Sequence, residues 1–173
     1  MKSKAFGLVA QIGVLLAISI GALAQAPTPV KLSGLFNDFT PAGASGAWEV
    51  RGEWSLKVKG DSGTADFSAA LTMGLSTLGA RNAHTHHITL VDGVVTPLTN
   101  GFRVTGTATI TGNGNFPPPF GGSSTVQIDI TGGNTVAFSN IQLTFGGNAV
   151  AHFGPQPVNG VVRTAKPPES DED

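Results

Sequence analysis

The stretch Ala83-His84-Thr85-His86-His87-Ile88-Thr89-Leu90-Val91 holds three of the four histidines in the chain. Imidazoles matter chemically because they move protons near neutral pH and because neutral imidazole ligates divalent metals. The alternation of polar with apolar and β-branched residues predicts a β-strand. Residues two apart in a strand share a face, with Cα atoms about 6–7 Å apart. His84 and His86 therefore point inward with Ile88 and Leu90, while His87 points outward with Thr85 and Thr89. Two converging imidazoles can grip one divalent ion of the zinc, copper, iron or nickel type, provided a third ligand arrives. His152 is the candidate, since it shares parity with Val150 in an expected late strand over Ala149–Phe153. Without a metal, the same histidines would be core-edge residues hydrogen-bonded to backbone or water.

The elements that must position these residues are strands. Trp48, Val50, Trp54, Leu56 and Val58 alternate strictly with Glu49, Arg51, Glu53, Ser55 and Lys57, which predicts a long strand with one buried face. Gly60-Asp61-Ser62-Gly63 reads as a turn. Ala65, Phe67, Ala69, Leu71 and Met73 share the inward face of the next strand. Further expected strands run over Val30–Phe36, before a loop from Asn37, and over Phe102–Thr111, Val126–Ile130, Thr135–Phe145 and Val158–Arg163. Asp92-Gly93 and Asn100-Gly101 read as turns, and Ser139-Asn140 as a bulge within a strand over Thr135–Phe145. The sum is an all-β fold: an antiparallel barrel of eight to nine strands, with a two-sheet sandwich as the alternative.

Composition narrows the function. Lys2 and Lys4, an uncharged stretch from Ala5 to Leu23 and the Ala22-Leu23-Ala24 site predict a signal peptide over 1–24 and a mature chain from Gln25. The barrel domain is expected over 25–164 and an acidic disordered tail over 165–173. Cysteine is absent, so no disulfide framework is expected. Residues 25–165 carry seven acids and seven bases, which speaks against nucleic acid as a partner. No stretch after residue 24 is long and apolar enough for a spanning helix. A monomer or weak oligomer is expected.

The spacing His84-x-His86 resembles the opening of the first cupin motif. Gly79, however, stands one residue too close to it, and the first acid beyond it, Asp92, lies too far on. Gly46-Ala47-Trp48 resembles the Gly-x-Trp of lipocalins, whose Thr-Asp-Tyr motif a chain without tyrosine does not hold. Neither family is assigned.

Trp48, Trp54, Phe67 and Phe102, with His84 and His86, could line a site for a small molecule at or inside the barrel mouth. Phe116-Pro117-Pro118-Pro119-Phe120 could form a lid or an end cap. The outward row Thr105, Thr107, Thr109 and Thr111 reads as a wet β-face. No nucleophile elbow, cysteine or inward carboxylate pair is present to support metal-free catalysis. The expected function is an exported small β-barrel binding protein. The alternatives are a metal-dependent enzyme using His84, His86 and His152, and a structural or interaction protein of the cell envelope.

Overall fold

The structure is a computed structural model that describes residues 28–41, 47–60, 62–76, 81–113, 122–132 and 139–167. Eight strands follow one another: β1 (Val30–Phe39), β2 (Trp48–Lys59), β3 (Thr64–Leu75), β4 (Arg81–Leu98), β5 (Gly101–Gly112), β6 (Ser123–Thr131), β7 (Asn140–Phe145) and β8 (Val158–Lys166). Each pairs antiparallel with the next, and β1 pairs with β8, so the sheet closes as a barrel. Closure leaves no sheet edge to protect, as expected for a chain of alternating strands.

The alternation in the sequence sets which side chains go inside. Val50, Trp54, Leu56 and Val58 of β2 are buried, and so are Phe67, Leu71 and Met73 of β3. Val104 and Ile110 of β5 and Ile141, Leu143 and Phe145 of β7 complete much of the interior. The outer wall carries paired charges. Arg103 donates from Nε and a terminal nitrogen to both carboxylate oxygens of Asp129 at 2.6 and 2.7 Å. This fork geometry suits a guanidinium against a carboxylate.

Several boundaries differ from the sequence reading. β1 runs on to Phe39, past the expected loop start at Asn37, and β8 runs to Lys166, past the expected domain end at 164. Asp92-Gly93 is not a turn between strands. β4 continues through it as one strand of 18 residues, with its register shifting between Thr89 and Val94. The inward parity changes there from Ile88 and Leu90 to Val95, which is the signature of one extra residue. Asp92 takes a left-handed φ of 53°. Its amide donates to Asp66 Oδ1 at 3.0 Å. Lys59 Nζ bonds both Asp66 Oδ1 and Asp92 Oδ1 at 2.7 Å. A turn-like dipeptide was thus absorbed into a strand because a neighbouring carboxylate satisfies the amide that the bulge displaces.

That bond and Lys59 hold the Asp66 carboxyl below its ordinary range. Asp66→Ala is therefore expected to cost about 1 kcal/mol at neutral pH, the net worth of such bonds at a wet site. The penalty should vanish as acid protonates Asp66 in the wild type. Denaturant midpoints of the two proteins at neutral and acid pH check this.

The predicted signal peptide, the Phe116–Phe120 proline loop, the residues of the expected strand before Ser139 and the tail beyond Pro167 lie outside the described residues.

Candidate metal centre

His84 and His86 enter from the N-terminal part of β4, on its inner side, as the alternation requires. His86 is buried at 4% exposure and His84 is half-buried, whereas His87 is exposed on the outer wall. His152 joins them, but not from a strand. Gly147–Ala149 forms a 3₁₀ turn that runs into a single helical turn, α1 (Val150–Phe153). The expected late strand over Ala149–Phe153 is corrected accordingly. Its apolar residues alternate, but Ala149 and Phe153 are the buried pair, both at 0% exposure. A spacing of four is one face of a helix. Gly154, at φ 87°, ends the turn in a backbone region costly for any residue with a Cβ.

This turn plugs the end of the barrel. The Phe153 ring stacks on Phe145 with centroids 4.0 Å apart and planes 12° from parallel. The same ring meets His86 and His152 edge-on at 5.1 and 5.0 Å. On the other flank Trp48 meets His84 edge-on at 5.1 Å and lies 6.3 Å from His152. The three imidazoles are thus held between one buried ring and one half-buried ring.

Their nitrogens converge. His152 Nε2 lies 3.1 Å from His84 Nε2 and 3.0 Å from His86 Nε2. One ligand nitrogen from each of the three falls within 4.8 Å of the others. A neutral ring nitrogen offers either one proton or one lone pair, so His152 Nε2 serves one neighbour fully and not two. A metal with bonds of about 2.0–2.1 Å to nitrogen sets tetrahedral ligands about 3.3 Å apart, close to the two separations that His152 makes.

The electrostatics fit a lone-pair site. Burial, and then the charges of His152 and His84, push His86 down from 6.5 to about 4, with a backbone hydrogen bond at Thr111 offsetting part of this. Burial, followed by the charge of His84, pushes His152 down to about 4 as well. Both rings are neutral at pH 7, which is the state that ligates metal. Both bind protons more readily in the unfolded chain than in the folded one. The metal-free protein should therefore be most stable above about pH 6.5 and lose stability as pH falls toward 4, with no further loss from these groups below that. Discounted for partial solvation, the loss should be on the order of 2 kcal/mol in all. Urea midpoints across this window should show it, and a His86→Leu/His152→Leu variant should not.

The backbone makes room for the site. Gly112 lies opposite His86 in the β4–β5 register. A Cβ there would fall 3.0 Å from His86 Nδ1 and 2.8 Å from the Thr85 carbonyl oxygen. Neither Gly112 nor Phe153 was legible as a site residue. Gly112 needed the cross-strand register, while Phe153 had a signal in its spacing from Ala149.

The remaining expected site residues are spread along the barrel. Trp48, His84 and His86 come together at one end. Trp54 lies deeper, stacked with Phe67 at 6.5 Å and tilted against Phe36 at 6.4 Å. Phe102 is buried near the opposite end, opposite Pro97 and Ile130. Nine residues of β5 lie between it and Gly112, a rise of about 33 Å along the strand. Trp54, Phe67 and Phe102 belong to the buried core cluster. Grooves of about 500 and 570 Å³ run instead along the outer wall, where Ser33, Ser55 and Ser68 are small.

Comparison with family models, curated proteins and solved structures finds no match to this chain. Among the described residues no helix is long and apolar enough to cross a membrane.

Proposed function

We propose that this is an exported β-barrel protein whose function is to bind a divalent transition metal at one barrel mouth. His84, His86 and His152 are the protein ligands, each through Nε2. The observation that carries the reading is the approach of two imidazole nitrogens to within 3.0 and 3.1 Å of a third. Three neutral nitrogens suit zinc, copper or nickel better than calcium or magnesium, which prefer oxygen. Export rests on the basic, apolar and small-residue pattern of residues 1–24.

Three protein ligands leave a fourth tetrahedral position for water or another group, the arrangement of catalytic zinc. This favours a metal-dependent reaction as the second reading. Isothermal titration of the purified, metal-stripped protein with zinc tests the main one. One ion per chain, bound more weakly as pH falls toward 4 and the ligands take up protons, supports it. Binding no tighter than that of a His84→Ala/His86→Ala variant would remove it.

A further inference from the structure

The geometry points to the fourth position of this centre as a binding site for a small carboxylate with an apolar or aromatic body, clasped by Trp48. The inference rests on the proposed metal site and adds its ligand class.

Charge gives the first half of the argument. A divalent ion on three neutral histidines keeps its full charge of two. None of the described carboxylates is placed to offset it. Asp66 and Asp92 hold Lys59, Asp129 holds Arg103, Glu49 holds Arg51 and Asp38 accepts from Asn159. Glu53 lies on the outer wall. An uncompensated charge in a site walled by Phe153 and Trp48 is costly, and an anion in the open position lowers that cost.

Shape gives the second half. Phe153, at 0% exposure, closes the His86 side from within. Trp48 flanks His84 and His152 and is itself half-buried, which sets its indole beside the centre with part of its surface in solvent. The backbone that carries the indole is pinned to the rim. The Trp48 main-chain N–H donates to Thr40 Oγ1 at 3.1 Å, and the Thr40 main-chain N–H donates to the Trp48 carbonyl at 2.8 Å. An aromatic wall beside a cationic centre selects an anion with a flat or apolar body over a bare one. The anion replaces metal-bound water, and no other bond is made or broken.

The test uses the chain loaded with cobalt(II), whose visible bands report its ligands. Benzoate is expected to shift these bands to saturation, and uncharged benzyl alcohol is not. Trp48→Ala should weaken benzoate by about tenfold, the worth of one aromatic contact, while leaving azide and cobalt binding near wild type. Trp48→Phe should restore most of the benzoate affinity. Cobalt bands that appear but ignore benzoate would overturn the inference and leave the metal site standing. So would an equal loss of azide and benzoate in Trp48→Ala, because it would make Trp48 merely structural. Failure to bind cobalt at all would remove the metal reading and this inference together.

Discussion

His152→Ala is expected to weaken zinc binding by more than about 100-fold, because changes to residues that only orient a ligand already cost 10- to 100-fold. The substitution removes the one nitrogen that both His84 and His86 face, at 3.1 and 3.0 Å. It leaves a His-x-His pair on β4, which alone supplies two of the ligands that a stable tetrahedral site needs. His152 is half-buried on a single helical turn, so its removal opens only a small void at the rim. The barrel should therefore stay folded, with the metal-free variant close to wild type in urea midpoint above pH 6.5. Zinc titration followed calorimetrically checks the loss. Retained wild-type affinity would mean that the metal sits elsewhere.

Phe153→Ala should give the largest loss of stability, about 3–5 kcal/mol, as a fully buried phenylalanine leaves a cavity that its neighbours fill only in part. Its ring stacks on Phe145 at 4.0 Å and also touches His86 and His152. That cost is a large share of the roughly 5–15 kcal/mol that keeps a domain folded. The helical turn that carries His152 is anchored by this ring and by Ala149, so the variant should also bind zinc more weakly. Phe153→Leu keeps much of the volume and should lose about 1.5 kcal/mol or less. Denaturant unfolding without metal separates the packing effect from the ligand effect. Equal stability of Phe153→Ala and wild type would show that the turn does not plug the barrel.

The barrel and half of the site were legible because alternation in a strand is a strict code. His84 and His86 share parity with Ile88 and Leu90, and that parity alone places them inside. His152 was legible as a residue but not as an element. Five residues between glycine-rich segments are too short for periodicity to tell strand from helix, and the deciding fact is that Ala149 and Phe153 face the core together. Asp92-Gly93 misled for another reason. Its dipeptide favours a turn locally, but the Asp66 carboxylate and Lys59 stabilise the same backbone as a bulge inside β4. Such tertiary partners lie 26 and 33 residues away in the chain, beyond the reach of any local pattern. The spread of Trp54, Phe67 and Phe102 along the barrel was hidden similarly. Parity says that each points inward, but only the cross-strand register says at what height.

The most direct measurement is the metal content and coordination of the protein prepared without a histidine tag and supplied with one equivalent of zinc. The account predicts one zinc per chain after dialysis, with an X-ray absorption spectrum showing three imidazole nitrogens at about 2.0–2.1 Å and one oxygen ligand. Zinc lost on dialysis, or held by oxygen ligands without imidazole, would contradict it.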